Sequence, residues 1–146
     1  MIMDSYDPLK LENQLCFPLY CAAKKVVQSY TPFLDRFDLT YTQYITMMAL
    51  WEKQTLSIAE LGSMLHLDSG TLTPLVKKLI QKGLVLKKED KQDRRMVSLT
   101  LTRRGKLLKE KIKDVPAQVR GCFPLSLEES IQLHNLLEKV IAGYED

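Results

Sequence analysis

Two short helices separated by a tight turn are predicted between Ser57 and Gly83, and this stretch constrains the fold more than any other. Ser57 followed by Glu60 is the signature of a capping box, which opens the first helix. Asp68 or Ser69 provides the cap of the second helix, whose apolar residues recur at helical spacing. Gly83 suits the position just past its end, where a left-handed backbone is common. The stretch therefore predicts a helix–turn–helix.

Beyond Gly83 the apolar period changes from helical to alternating. Leu84–Lys88 and Met96–Leu101 are β-rich runs on either side of the charged segment Glu89–Arg95. A hairpin directly after a helix–turn–helix predicts a winged helix. The expected fold class is therefore mainly α with a small β-hairpin wing.

Helical periodicity continues on the N-terminal side of this unit. Asp7–Pro8 is a cap followed by a first-turn proline, which predicts a helix from Leu9 to about residues 33–37. Pro18 lies inside that span, where its missing N–H should kink the helix across Cys16.

Further caps mark the other helices. Thr40–Gln43 and Ser126–Glu129 have the spacing of capping boxes. Thr102 can cap a helix over Gly105–Lys113, in which the glycine is a mild local penalty. The sequence contains no internal repeat and no sign of a second domain, so a single domain over residues 1–146 is expected.

Charge is distributed unevenly along the chain. From Lys77 to Lys113 fourteen Lys and Arg oppose four Asp and Glu, a net charge of +10. The remainder has seven against fourteen, a net charge of −7. A solvated face would explain the high charge but not this imbalance, which is typical of a nucleic-acid contact surface.

Several other classes of protein lack support in the sequence. No apolar run approaches the ~20 residues that span a bilayer, and no secretory signal opens the chain, so we expect a cytoplasmic protein without a membrane partner. Three cysteines do not make a disulfide framework. No Cys and His spacing suits zinc, and neither a metal nor a cofactor is expected.

The second predicted helix has the character of a DNA-reading helix. Its N-terminal half is small or hydroxylated on the outer side, so that side chains can reach base edges while N–H groups meet phosphates. Pro74 costs little there if it falls in the first turn and more if it does not. In the wing, one arginine of Asp93–Arg94–Arg95 can enter the minor groove, and the acid can hold its neighbour.

A family resemblance rests on these same strings. LDSGTLTPL (Leu67–Leu75), the wing Asp93–Arg95 and LTLT (Leu99–Thr102) resemble the MarR family of winged-helix transcription regulators. LENQLCFPLY (Leu11–Tyr20) and LTY (Leu39–Tyr41) narrow the resemblance to the organic hydroperoxide resistance regulators (OhrR) and their SarZ and MgrA relatives.

The resemblance implies a homodimer on a pseudo-palindromic double-stranded DNA operator. The winged helix would occupy about residues 40–102, and interlocking dimerisation helices about residues 8–37 and 103–144. The DNA-binding positions it implies are Ser69, Gly70, Thr71, Thr73, Pro74, Lys77, Asp93 and Arg94, with Arg95 in the minor groove.

The resemblance also implies that Cys16 is a peroxidatic thiol. Tyr30 and Tyr41 would donate to its sulfur from the other subunit, with Tyr20 nearby. Residue type alone would make Cys16 a small buried hydrophobe. In one continuous helix Tyr30 would lie roughly 21 Å from Cys16, so any contact between them needs a second chain. The apolar surround of Leu15, Phe17 and Phe33 would favour organic hydroperoxides as the oxidant.

The other two cysteines differ in what they suggest. Cys21 is five residues from Cys16, too far along a helix for an undistorted disulfide, and is expected in the core. Cys122 is similar in position to the resolving cysteine of two-cysteine OhrR proteins. Oxidation could therefore end in an intersubunit Cys16–Cys122 disulfide or in a mixed disulfide with a low-molecular-weight thiol.

The leading hypothesis is a redox-sensing repressor that releases its operator when an organic hydroperoxide oxidises Cys16. A MarR-type regulator controlled by a small-molecule ligand, or a broader oxidative-stress or virulence regulator, remains an alternative. A thiol peroxidase is disfavoured because it leaves the basic segment and the wing unexplained, so no enzyme activity is expected.

Overall fold

The computed structural model describes residues 6–145 as two compact units, one up to Val115 and the other from Pro116 onward. The helices of the first unit are α1 (Cys16–Ser29), α2 (Thr31–Leu34), α3 (Tyr41–Lys53), α4 (Ile58–Leu65), α5 (Ser69–Gln81) and α6 (Arg103–Ile112). Its strands are β1 (Thr55–Ser57), β2 (Val85–Glu89) and β3 (Val97–Leu101). The remaining helices are α7 (Val115–Cys122), which starts at the boundary, and α8 (Leu127–Ala142).

Side-chain caps begin the helices where the sequence predicts them. The complete capping boxes are Thr40 with Gln43, Ser57 with Glu60, and Ser126 with Glu129. Thr102 caps α6. Of the two candidates for α5, Asp68 is the cap and Ser69 is the first helical residue. The helix–turn–helix is thus set by local side-chain hydrogen bonds.

The prediction of one long helix from Leu9 is wrong. The Asp7 carboxylate accepts a hydrogen bond from the Leu9 N–H at 2.9 Å in a turn, Leu11–Asn13 form a 3₁₀ turn, and α1 begins only at Cys16. Pro18 is therefore the third residue of α1, where an N–H would have no intrahelical acceptor. The predicted kink across Cys16 is wrong for that reason.

The first helix also ends earlier than predicted, at Ser29. Pro32 follows in the first turn of α2 and cannot donate to the carbonyl of Gln28, so the α1 ladder does not continue through it. A 3₁₀ turn at Asp35–Phe37 then leads to Asp38, which has a left-handed backbone with φ of 54°. The connection to α3 is therefore a sequence of short turns.

The hairpin prediction is confirmed to within one residue at each strand start. β3 lies in the centre of a three-stranded antiparallel sheet in the order β1-β3-β2. The edge strand β1 was not predicted, and its Leu56 pairs with Leu99 across the sheet. Three residues are too few to show an alternating pattern, so only pairing with a distant strand reveals this one.

A single junction connects α5, the hairpin and α6. Gly83 follows α5 with φ of 71°, and its N–H donates to the Ile80 carbonyl. The Leu84 N–H returns to the Leu79 carbonyl, which completes a Schellman motif. Thr102 holds the same point, because its hydroxyl donates to Gly83 O at 2.6 Å and its N–H to Leu84 O at 3.1 Å.

Gly105 belongs to this junction, and its interpretation as a mild penalty is wrong. A Cβ at this position would lie 2.2 Å from the carbonyl oxygen of Leu84, a backbone atom that is itself hydrogen-bonded. The Gly105 carbonyl in turn accepts from the Trp51 indole N–H at 2.9 Å. The missing side chain is what lets α6 approach the hairpin.

The buried residues concentrate in the winged helix, whereas the terminal helices keep apolar faces exposed. The largest fully buried side chains are Leu34, Met47, Leu50, Leu61, Leu72, Leu79 and Leu99. Neither α1 nor α8 has a buried residue. The exposed apolar residues of α8 are Leu127, Ile131, Leu133, Leu136, Val140 and Ile141.

Replacing Gly105 by alanine should destabilise the fold. Overpacking against a fixed carbonyl costs about 1–3 kcal/mol, which lowers the Tm by about 3–10 °C for a chain of this size. Gly121→Ala is the control, because a Cβ there meets nothing within 4 Å. Thermal unfolding followed by circular dichroism measures both, and equal Tm values for the two variants would contradict this account.

Candidate nucleic-acid interface and thiol site

The helix α5 has one buried side and one exposed side. Its buried residues are Leu72, Leu75, Val76 and Leu79. The six positions of this helix that are predicted to contact DNA are all exposed: Ser69, Gly70, Thr71, Thr73, Pro74 and Lys77. Small and hydroxylated side chains therefore occupy the exposed N-terminal half of a helix that is anchored by its other side.

The turn before α5 fixes the start of this helix. His66 takes a left-handed backbone with φ of 53°, and a Cβ at Gly62 would lie 2.9 Å from the Leu67 carbonyl. Asp68 then accepts a hydrogen bond from the Thr71 N–H at 2.7 Å. The same hydrogen bond holds the pKa of the Asp68 carboxyl below its usual value.

Pro74 falls beyond the first turn of α5, as its sixth residue. Its missing N–H would have donated to the carbonyl of Gly70, so the larger of the two penalties left open by the sequence applies. Gly70 is exposed, and water can satisfy its carbonyl there.

The wing tip is folded by two aspartates. Asp90 Oδ1 accepts from the Gln92 N–H at 2.7 Å, and Asp93 Oδ1 accepts from the Arg95 N–H at 3.0 Å. Asp93 thus holds Arg95 through the main chain. In the part of the chain that the structure describes, no ion pair engages the guanidinium groups of Arg94 and Arg95, which are exposed.

Cys16 is exposed as the first residue of α1. The preceding Leu15 is 84% exposed and Phe17 is 40% exposed, so the thiol lies between apolar side chains that this chain does not cover. Tyr20, one turn further on, shares the face of Cys16. The Lys24 amino group lies 5.3 Å from the centre of the Tyr20 ring.

Three tyrosines form a cluster at the other end of α1. Tyr30 is the C-cap of α1, and its ring centre lies 4.9 Å from that of Tyr41 and 5.8 Å from that of Tyr44. The centres of Tyr41 and Tyr44 are 6.5 Å apart. Tyr44 is only 3% exposed and was not predicted, although its spacing of three from Tyr41 places both on one helical face.

Burial raises the pKa of each phenol in this cluster. Desolvation is the main cause for all three, and the neighbouring Tyr30 raises the pKa of Tyr41 and of Tyr44 further. The phenols therefore stay protonated at neutral pH and act as hydrogen-bond donors. Within residues 6–145 no hydrogen bond engages their hydroxyl groups, so the cluster can donate to an acceptor from another molecule.

The structure brings Tyr30 and Tyr41 together but separates both from Cys16. α1 is a continuous helix of 14 residues with Cys16 at its start and Tyr30 just after its end. At 1.5 Å per residue this separation is roughly 21 Å. The thiol and the phenols of one chain thus lie too far apart to interact.

The remaining cysteines are partly or fully exposed. Cys21 is half-buried, so the prediction of a core position is wrong for this chain. Cys122 is the last residue of α7 and is exposed. Within residues 6–145 no group of three His, Cys, Asp or Glu side chains is placed to hold a metal, and no helix is long and apolar enough to cross a membrane.

A capped helix–turn–helix followed by a charged antiparallel hairpin defines a winged-helix DNA-binding protein. Residues 28–112 match the model of the transcriptional regulator SarA/Rot family. The chain belongs to this family of MarR-type winged-helix regulators, which confirms the resemblance seen in the sequence.

Three relatives illustrate the similarity. The organic hydroperoxide resistance transcriptional regulator of Bacillus subtilis is 43% identical over 92% of this chain and 91% of its own length. The regulator SarZ of Staphylococcus haemolyticus is 43% identical over 99% and 96%. Reduced AbfR bound to DNA is 32% identical over 92% and 94%, with a TM-score of 0.77. A disulfide form of AbfR, 33% identical over 90% and 92%, has a TM-score of 0.66.

Loss of the Asp68 cap should weaken DNA binding. Asp68→Ala leaves N–H groups of α5 uncapped, and we expect a loss of affinity of about fivefold, whereas Asp68→Asn keeps an acceptor and serves as control. The pKa of the Asp68 carboxyl is lower in the folded state than in the unfolded state. The contribution of Asp68 to folding stability is therefore fully present above the ordinary aspartate pKa, and it is lost as the pH falls through the lowered pKa of the folded state. Fluorescence anisotropy with a DNA duplex measures the affinity, and equal affinities of the two variants would contradict the cap's role.

Proposed function

We propose that this chain is a redox-sensing transcriptional repressor. As a homodimer it binds a pseudo-palindromic operator, and it releases the DNA when an organic hydroperoxide oxidises Cys16. The observation that carries the proposal is that the thiol and the phenols lie at opposite ends of α1, so that a complete thiol site needs two chains. Cys16 is exposed at one end, and protonated phenols are clustered at the other.

The DNA-binding part follows from the exposed face of α5 and from the wing. Hydroxyl groups and the N-terminal N–H groups of α5 suit base edges and phosphates of the major groove. Arg95, presented by the wing tip, suits the minor groove, where negative potential is concentrated. AbfR, a relative of this chain, has been solved bound to DNA in its reduced form.

Dimer formation would cover the exposed apolar faces of the terminal helices. The apolar side chains of α8 and those around Cys16 are uncovered in the single chain. Burying them removes apolar area from water, which is the main driving force of association. A symmetric dimer also presents two copies of α5 to DNA, and their separation must match half-sites about 34–36 Å apart.

In such a dimer the Cys16 thiolate of one subunit would meet the phenols of the other. The thiolate sulfur attacks one peroxide oxygen, the O–O bond breaks, and the other oxygen leaves as an alcohol after taking up a proton. Cysteine thiol and hydroperoxide thus become sulfenic acid and alcohol. Leu15 and Phe17, both exposed beside the thiol, favour an oxidant with an apolar group.

A second thiol then condenses with the sulfenic acid to give a disulfide and water. We favour Cys122 of the other subunit as this thiol because it is exposed, with a low-molecular-weight thiol as the competing partner. Either product changes the packing at the start of α1. The resulting shift of the dimer moves the two α5 helices out of register with the half-sites.

Cys16→Ser should keep DNA binding and lose the response to peroxide. The hydroxyl cannot form a sulfenic acid, so treatment with cumene hydroperoxide should leave the operator affinity within about twofold of the untreated value. Cys21→Ser is the matched control on the same helix and should still release DNA. A gel shift on the region upstream of the chain's own gene tests both, and release by Cys16→Ser would favour control by a bound ligand instead.

Non-reducing electrophoresis of oxidised protein distinguishes the two disulfide products. An intersubunit Cys16–Cys122 bond gives a dimer-sized band that disappears in Cys122→Ser. A mixed disulfide leaves the monomer band in place and adds the mass of the small thiol. A dimer band that persists in Cys122→Ser would refute the role of Cys122.

A further inference from the structure

The amino group of Lys82 lies where three segments of the first unit meet. It donates to the main-chain carbonyl of Asp38 and, at 3.0 Å, to the side-chain oxygen of Gln43. The Asp38 carboxylate is 3.5 Å away. We call these three residues the Lys82 clamp.

The hydrogen bonds of Lys82 to neutral acceptors matter more for the clamp than its ion pair with the Asp38 carboxylate. The Asp38 side chain is 90% exposed, so water and salt screen its attraction to the amino group. The Lys82 side chain is only 25% exposed, and Gln43 is buried with 3% exposure. The two neutral acceptors in this partly buried setting therefore fix where the amino group lies.

Gln43 connects the clamp to the first turn of α3. Its side-chain oxygen accepts from Lys82 and also from the Thr40 N–H at 3.2 Å, while the Thr40 hydroxyl accepts from the Gln43 N–H. This capping box starts α3, and Tyr41 is the first residue of that helix. Lys82 thus supports the helix start that carries a phenol of the tyrosine cluster.

Asp38 connects the clamp to the chain just before α3. Its left-handed backbone, with φ of 54°, is uncommon for a residue with a side chain and defines the direction in which the chain enters the helix. A donor on its carbonyl stabilises that arrangement. Both sides of the Tyr41 helix start are therefore held by one amino group.

Lys82 is at the same time the C-cap of α5. The helix is 13 residues long, and its N-terminal half carries the proposed DNA contacts. The helix is continuous over these 13 residues although Pro74 removes one of its hydrogen bonds, so a displacement of its C-terminal end also moves its N-terminal end. The clamp is a direct contact between the end of the DNA-reading helix and the segment that positions Tyr41.

We propose that Lys82 is a positioning residue that couples the tyrosine cluster to α5. Movement of Tyr41, when the sulfur that it contacts is oxidised, shifts the first turn of α3, and Lys82 transmits the shift to the C-terminal end of α5. This inference rests on the proposed function, since it requires that Cys16 oxidation be sensed at Tyr41. The inference adds to the proposed function a contact, within one chain, between the segment that carries Tyr41 and the helix α5.

The test compares the coupling in four proteins besides wild type. Lys82→Met removes the charge and the donor, and Lys82→Gln replaces the amino group with a shorter, neutral donor. Lys82→Arg retains a long cationic donor. Lys109→Met removes an exposed lysine of α6 and is the matched control. The dissociation constant for a labelled duplex from the gene's upstream region is measured by anisotropy, before and after treatment with cumene hydroperoxide. The ratio of the two constants is the coupling. Thermal melts and the mass of Cys16 peptides accompany each measurement.

Lys82→Met and Lys82→Gln should bind the duplex in the reduced state within about threefold of wild type, oxidise Cys16 equally, and show a coupling ratio at least about fivefold smaller. Lys82→Arg should recover most of the wild-type ratio, and Lys109→Met should equal wild type. A lower Tm with an unchanged ratio in both neutral variants would overturn the proposal, because Lys82 would then only stabilise the fold.

Failure of the proposed function has a different signature. In that case the wild-type ratio itself stays near one although Cys16 is oxidised, and the coupling role is overturned together with it. A large wild-type ratio that the neutral variants share overturns only the role of Lys82. The second neutral variant, Lys82→Gln, keeps the test decisive if Lys82→Met does not fold.

Discussion

The close approach of Gly105 to the carbonyl of Leu84 is the contact on which the rest of the winged helix depends. Four segments come together at this point: the end of α5, the two strands of the hairpin and the start of α6. Gly83 turns the chain, and Thr102 donates hydrogen bonds to two successive carbonyls. The indole N–H of Trp51, in α3, donates to the carbonyl of Gly105. The wing is thereby oriented relative to α5 by hydrogen bonds, which have direction, and not by apolar packing alone.

Features determined within a few residues of the chain were predictable from the sequence. The capping boxes at Thr40, Ser57 and Ser126 and the helix end before Gly83 are local hydrogen-bond patterns. They gave correct starts for three helices and the correct end of α5. Pro18, by contrast, led to a wrong prediction, namely a kink in the first helix. The physical effect of this proline depends on where the helix begins. The exposed leucines upstream of Cys16 have the spacing of an α-helix, but Leu11 lies in a 3₁₀ turn and α1 begins only at Cys16.

Features that depend on distant partners could not be read in this way. β1 exists because β3 pairs with it, and Gly105 is required because of a carbonyl 21 residues earlier. Lys82 gives no local signal at all, since its acceptors lie about 40 residues away in sequence. In the thiol site, Tyr30 and Tyr41 were identified through the family resemblance. Tyr44 could have been found, because a third tyrosine one turn after Tyr41 was visible in the sequence.

The length of α1 has a consequence for behaviour at low protein concentration. A continuous helix of 14 residues keeps Cys16 away from Tyr30 in every isolated chain. In the proposed dimer, dissociation therefore dismantles the thiol site and the paired DNA-reading helices in the same step. A cell with few copies of the protein would lose repression and oxidant detection together, so one dissociation constant sets the threshold abundance for both.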